Sequence, residues 1–349
     1  MIPSKNPPNS YEKLAFSAIL AAIVWMIWFH LAGPQAFAYI LNHWEISLTM
    51  VFGSLIAGAT SEGGGAVAFP VFTKLLHIPA TEAKIFSLAC QSVGMTAAAL
   101  VIMYIGLCVE WRVIRWASLG GVIGITLSSV MLAPILPPPV IKMSFTAMVA
   151  SFAVTLFVLN RSKRFCQVRI PFFGMYERML LLVVGFTGGM MSGLVGNGID
   201  IITFSVMVLL FRLSEKIATP TSVILMAINA TVGFALHVFV IGDFPPQVYA
   251  YWQASIPVVV IGAPIGAIIC SRLKRMTIVW LLIGLIFVEV ISSLWLIPLT
   301  PAVIITCLTT FVVFSSLYYW MYHTHEYNKS GTFKNSQNET RCVFQELLN

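Results

Sequence analysis

The sequence predicts an all-α polytopic membrane protein, with about eight full transmembrane helices plus two broken, re-entrant helix pairs in an inverted repeat. Three observations carry that prediction. The 349 residues are 58% hydrophobic and only 9% charged, with a mean hydropathy of +0.90, whereas a soluble domain carries about 25% charged residues. Several apolar runs reach the ~20 residues that span a hydrocarbon core. A glycine cluster also occurs twice, as Gly58-Ala59-Thr60-Ser61-Glu62-Gly63-Gly64-Gly65 and as Gly193-Leu194-Val195-Gly196-Asn197-Gly198-Ile199-Asp200, each time interrupting an apolar stretch. One ungapped offset that pairs Gly58 with Gly193 also pairs Gly53 with Gly188, Phe69 with Phe204, Ala83 with Ala218, Ser87 with Ser222 and Thr96 with Thr231.

The elements follow in order. Residues 1–45 hold Lys5 and Lys13, an apolar run at about 14–32 and an outer loop at 33–45 without Lys or Arg. The length and aromatic content of the run favour a retained helix over a cleaved leader, although Ala36-Phe37-Ala38 is a weak small-x-small site. A first repeat over 46–160 contains the broken segment 46–77 and full spans near 83–104, 113–134 and 140–160. A cytoplasmic linker over 161–178 follows. The second repeat, 179–297, contains the broken segment 179–212 and spans near 217–241, 250–270 and 277–297. A last span at 298–322 and a polar, disordered tail at 323–349 complete the chain. Pro137-Pro138-Pro139 and Pro245-Pro246 mark turns, because proline ends helices and fixes an extended approach.

Charge placement orients the spans. Arg112 and Arg115, then Arg161, Lys163, Arg164, Arg169 and Arg178, then Arg272, Lys274 and Arg275 form three basic clusters. The positive-inside rule places them in the cytoplasm, with both termini, in a cell inner membrane. The alternation closes only if each broken segment crosses an even number of times, so the two copies are inverted. The net charge of +7 does not imply a nucleic-acid partner, because the basic residues sit in short loops and leave no basic face. The expected partners are the lipid bilayer and a small anionic substrate, and a homo-oligomer is compatible with the chain. No CxxC pair or histidine pattern implies a metal, and no cofactor is expected. The absence of GxSxG, HExxH and a nucleotide loop argues against an enzyme.

The breaks carry the chemistry. Three consecutive glycines cost about 1 kcal/mol each relative to alanine inside a helix. Irregular backbone at membrane depth must be buried in protein or line an aqueous cavity. The helices restarting at about Ala66 and Ile201 offer first-turn N–H groups to an anion. Gly63, Gly64, Gly65, Asn197 and Gly198 are therefore candidate substrate-binding positions. Ser87 and Gln91, one helical turn apart after the first break, and Ser222 and Asn229 after the second, are candidate side-chain ligands. The alternative for all of them is close helix crossing and helix–helix hydrogen bonding. Glu62, Asp200 and the intramembrane Glu289 are candidates for proton coupling. A carboxylate beside an anion site repels the substrate when ionised, and protonation removes that repulsion. Asp200 has the alternative role of a first-turn helix cap.

The pattern Gly53-x(4)-Gly58-x(4)-Gly63-Gly64-Gly65, followed by Pro70, Ala83 and Ser87, resembles the TauE/SafE sulfite exporter family, also called the 4-toluene sulfonate uptake permease family. In the second copy Gly188, Gly193, Gly196, Gly198, Ala218 and Ser222 match, while Ile199 and Asp200 replace glycines and Ser205 stands where Pro70 does. The resemblance covers about 46–296. It implies secondary transport of a small, often sulfur-containing anion such as sulfite or an organosulfonate, by alternating access. A passive anion channel on the same scaffold is the alternative.

Overall fold

Prolines and short breaks in the apolar runs fix where the helices start and stop. The computed structural model describes residues 9–62, 71–161 and 166–323. Twelve α-helices appear among them: α1 (Ser10–Ala32), α2 (Ala36–Asn42), α3 (Trp44–Ala59), α4 (Ala80–Ile105), α5 (Trp111–Leu127), α6 (Pro138–Leu159), α7 (Met175–Val195), α8 (Ile199–Leu209), α9 (Glu215–Ala235), α10 (Pro246–Arg272), α11 (Arg275–Leu296) and α12 (Pro301–His323). Pro138 and Pro246 occupy first helical turns, where the missing N–H is not needed. π-Helical turns extend α5 through Leu132 and α9 through Ile241, and another covers Val71–Leu75.

Nine segments among the described residues are long and apolar enough to cross a membrane. Eight of them are the expected full spans. The ninth is α7, the first arm of the second broken segment, which begins at Met175 rather than 179 and runs for 21 residues. Its counterpart α3 has 16 residues. The outer loop expected at 33–45 is largely helical, because α2 continues the first run after a short 3-10 turn at Gly33–Gln35. Gly63–Gly65 and the tail after His323 lie outside the described residues, as do Lys163 and Arg164.

The duplication is visible in the packing. Thr96 of α4 and Thr231 of α9, which are equivalent positions 135 apart, face each other with hydroxyls 3.5 Å apart. Leu88, earlier in α4, meets Gly233, later in α9, so this equivalent pair is antiparallel. α6 and α11 behave alike. Asn160, at the end of α6, accepts from Arg275 at the start of α11 (2.8 Å), while Lys142 near the start of α6 pairs with Glu289 late in α11. Equivalent helices that run in opposite directions make the repeat inverted.

The two halves are knitted by exchanged arms. α7 lies on α5 and α3 lies on α10, and in both contacts the helices run parallel along glycine seams. A Cβ at Gly185 would stand 2.1 Å from the Ala117 carbonyl oxygen, and one at Gly189 2.2 Å from that of Gly121. On the other seam a Cβ at Gly58 would stand 1.9 Å from the Ala263 carbonyl, and one at Gly266 2.1 Å from that of Leu55. Gly120/Gly124, Gly189/Gly193 and Gly262/Gly266, each pair spaced one helical turn apart, all fall on these seams. Backbones approach this closely only without side chains between them.

α1 clasps the outside of α10. Pro257 lacks an N–H and cannot bond the carbonyl four residues back. That carbonyl, of Gln253, accepts instead from the indole N–H of buried Trp28 (3.0 Å). At the opposite end of the bundle, Glu110 binds Arg112 (2.7 Å) and the backbone N–H of Ile170 (3.3 Å). The linker also bridges the turn after α8, with Gln167 N–H donating to the Arg212 carbonyl (2.8 Å).

Substituting valine at Gly189 is expected to lower the thermal midpoint of the detergent-solubilised protein, because overpacking costs about 1–3 kcal/mol. Valine at Gly284, which meets nothing within 4 Å, is expected to leave it unchanged. Static-light-scattering melts of both variants check this.

Candidate functional site

The second break is built by two glycines that L-side chains cannot replace without strain. Gly196 ends α7 with φ 97° and Gly198 precedes α8 with φ 147°, a region that disfavours any Cβ. A side chain at Gly196 would also press on the Lys84 carbonyl at 3.0 Å. Between them, Asn197 projects to the first break and donates from Nδ2 to the Glu62 carbonyl (3.2 Å). Glu62 and Asn197 are equivalent positions of the two repeats, so the breaks meet near the axis that relates them.

The start of α8 is not an open anion cradle. The N–H of Gly198 goes to Asp200 Oδ1 (3.1 Å), and that of Ile199 goes to Ser192 Oγ (3.1 Å). The Asp200 carboxylate also draws on the amides of Ile201 and of Asp200 itself. The expectation of free first-turn donors therefore fails in this copy, because a side-chain acid already occupies them. Gly63–Gly65 and the helix start expected at about Ala66 lie outside the described residues.

A cavity with about 640 Å³ of empty space, part of it open to solvent, lies between α3, α4, α10 and the second break. Its polar wall includes Ser54, Ser87, Gln91, Asn197 and Lys142, and its apolar wall includes Met50, Phe72, Phe86 and Met95. Gln91 Nε2 donates to Ser87 Oγ (2.7 Å), and Ser87 Oγ reaches the Gly196 carbonyl at 3.5 Å. Gln91 Oε1 has no hydrogen-bond partner among the described residues. A smaller recess of about 420 Å³, lined by Lys84, Thr81, Pro138 and Leu194, adjoins it and shares Lys142 and Val195.

The structure thus brings Ser87, Gln91 and Asn197 into one cavity and leaves Gly198, Ser222 and Asn229 off its wall. Ser222 is fully buried and donates to the Thr219 carbonyl (2.8 Å). Asn229 is 1% exposed, has no partner for either amide atom among the described residues, and abuts Gly121. All eleven residues of α8 are buried.

Of the three candidate acids, Asp200 is buried with Oδ2 unpartnered among the described residues. Glu62 is 2% exposed with neither carboxylate oxygen hydrogen-bonded among them, and Glu289, Asp200 and Lys142 all lie within electrostatic range of it. Glu289 forms an ion pair with Lys142. Sequence reasoning passed over Lys142. The available signal was a lone lysine inside the apolar run 140–160, since an intramembrane charge marks a functional position by default. His237 bonds Asp243 through Nδ1 (2.7 Å) and takes no part in the cavity wall. No group of three or more His, Cys, Asp and Glu suited to a metal ion exists among the described residues.

Chemically, the cavity offers one ammonium, two carboxamides, two hydroxyls and a thiol in an otherwise apolar chamber. Hydrogen bonds to charged groups are worth about 1.5–3 kcal/mol, and a buried cation attracts a small anion more strongly than an exposed one does.

The family model described as Sulfite exporter TauE/SafE matches residues 46–293, the stretch that contains both breaks, α3 through α10 and most of α11. No curated protein and no solved structure gives a significant match.

With Cys90, itself on the cavity wall, replaced by alanine, a cysteine at Ser87 is expected to react with a small sulfhydryl reagent on the order of tenfold faster than one at Ser222, because thiol reactivity follows access. Labelling rates in membrane vesicles check this.

Proposed function

The chain belongs to the sulfite exporter TauE/SafE family of membrane transport proteins, and on that premise we propose that it is a secondary transporter of a small sulfur oxyanion, of the sulfite or organosulfonate class, working by alternating access. One observation carries the reading. The cavity wall with Lys142, Ser87, Gln91 and Asn197 is developed around the first repeat. Ser87 and Gln91 line the cavity, Gln91 being 7% exposed, whereas their equivalents Ser222 and Met226 are at most 1% exposed.

Two inverted halves in unequal conformations are what alternating access requires. If the halves exchange conformations, the cavity closes on one face and opens on the other. Ser222, Asn229 and Gly198 then become the wall, and Ser87 and Gln91 become packed. In this reading Asn229 is left without partners because it serves the other state. Gly63, Gly64 and Gly65 remain in the proposal as main-chain donors at the first break. A passive channel needs both halves open at once, and the burial of α8 argues against it.

The basic clusters around Arg112, Arg161 and Arg275 support a cytoplasmic placement for that end of the bundle and for both termini. The recess beside Pro138 and Lys84 then faces outward. Such an arrangement fits a multi-pass protein of the inner membrane that presents its cavity to the outside. Glu62, Asp200 and Glu289 are the acids through which a proton gradient would act.

In liposomes the purified protein is expected to carry sulfite or a simple organosulfonate, and to concentrate it when a pH gradient is imposed. Leucine at Gln91 is expected to raise the half-saturating anion concentration about tenfold or more, from loss of a hydrogen bond to a charged group. Isotope flux across a panel of sulfite, sulfate, methanesulfonate, carboxylates, cations and neutral solutes checks both. Movement of a cation or neutral solute with no anion flux is the result that overturns the reading.

A further inference from the structure

The ion pair between Lys142 and Glu289 is not inherited from the duplication. The position equivalent to Lys142 holds Thr277, and the one equivalent to Glu289 holds Val154. The pair breaks the symmetry of α6 and α11 at the one place where a charged side chain reaches the cavity from these helices. Lys142 is on the wall of both the main cavity and the recess, with its side chain 8% exposed. Glu289, at 2%, is buried behind it. Glu289 Oε1 takes the ammonium, and Oε2 has no hydrogen-bond partner among the described residues. Thr146 and Ser293, one turn further on in each helix, bond each other (3.0 Å) rather than the carboxylate.

The surrounding charges sharpen the point. Glu62 from the end of α3 and Asp200 from the first turn of α8 stand near this cluster, and Lys84 of α4 lies at the recess. From α12, the Cys307 thiol packs beside Met143 and Ile297. From α9, Glu215 is engaged by Arg275 (3.3 Å), about 20 Å along α11 from Glu289 by helical rise. Of the cations named, Arg275 is held by Glu215 and Lys142 is the one bonded to Glu289. A buried carboxylate stripped of its counter-ion is strongly destabilised and neutralises by taking a proton.

We propose that Lys142 is shared in time between Glu289 and the transported anion, so that anion binding transfers the ammonium to the guest and Glu289 takes up one proton from water. The inference rests on the reading of the cavity as an anion site. Its balance is simple. One negative charge and one proton enter together, the ion pair of Lys142 with Glu289 becomes an ion pair of Lys142 with the anion plus a neutral carboxylic acid, and the charge of the protein with its guest is unchanged. The arrangement selects a singly charged oxyanion such as a sulfonate over a doubly charged one such as sulfate, which would leave one negative charge uncompensated in the bilayer. Glu289 is in this sense a resident surrogate for the substrate.

The test uses the full-length protein in two settings. In lightly buffered detergent, titration with methanesulfonate, a permanent monoanion, is expected to draw about one proton from solution per anion bound. In liposomes with a trapped pH indicator, wild type is expected to move protons with the anion. Glu289→Gln is expected to move fewer protons per anion carried, the proton-to-anion ratio falling towards zero and the dependence of its remaining flux on external pH flattening. The double variant Lys142→Met with Glu289→Gln, a neutral pair of similar volume that avoids a stranded charge, is expected to fold and to show a half-saturating concentration raised at least about tenfold. Anion flux in wild type without proton uptake on binding overturns this inference alone, as does Glu289→Gln moving protons at the wild-type ratio. Absence of any anion flux or binding in wild type overturns the functional reading beneath it.

Discussion

A main-chain amide or carbonyl inside hydrocarbon has no water to bond, so wherever a helix breaks at membrane depth, protein must close over the break. Much of this architecture answers that demand. The Glu62 carbonyl at the first break takes the Asn197 amide of the second. The Ile199 N–H, exposed by the second break, takes the Ser192 hydroxyl of the helix just ended. Within α10 the carbonyl freed by Pro257 is capped by Trp28 from an added N-terminal helix. The glycine seams bring α3 onto α10 and α7 onto α5 at backbone distance, which walls both breaks with helices from the opposite half. Each half thus completes the other.

The duplication supplies the scaffold, and departures from it supply the chemistry. Where the first copy has Gly64 and Gly65, the second has Ile199 and Asp200. The isoleucine packs against Gly188 and Gly121, and the aspartate fills the start of α8 with its own carboxylate. Glu62 faces an asparagine rather than another acid. Lys142 and Glu289 have no counterparts at all. An inverted repeat with identical halves would have two equal cavity walls. This one carries a cation on one side and a self-capped helix on the other, so its two halves are chemically unequal.

Composition and periodicity were enough to read the membrane class and the spans, because a run such as 250–270 admits one solvent and one secondary structure. The inversion was legible too, since loop charges near Arg112 and Arg275 constrain the direction of every crossing. The site was legible only in part. Ser87 and Gln91 stand one helical turn apart on α4 and so share a face, and Asn197 at the second break lines the same cavity. Two features escaped. The role of Asp200 depends on whether its carboxylate turns back onto the amides of its own helix, and residue order does not fix that. The partner of Glu289 sits 147 positions away, on the equivalent helix but at a position that the repeat offset does not pair with it. A long-range side-chain pair that breaks the internal symmetry leaves no periodic trace. The helical character of α2 was missed because Gly33 and Pro34 read as a loop, and nothing in the sequence showed that the chain would resume a helix against α10.

The exchanged arms also carry a timing problem for biosynthesis. α3 leaves the ribosome early, yet the surface it fits along Gly58 belongs to α10. Roughly 200 further residues must be made before that surface exists, which at about 5–20 residues per second is on the order of ten to forty seconds. Throughout that interval the glycine face of α3 lacks the surface it fits, so this seam closes only when the last third of the chain arrives.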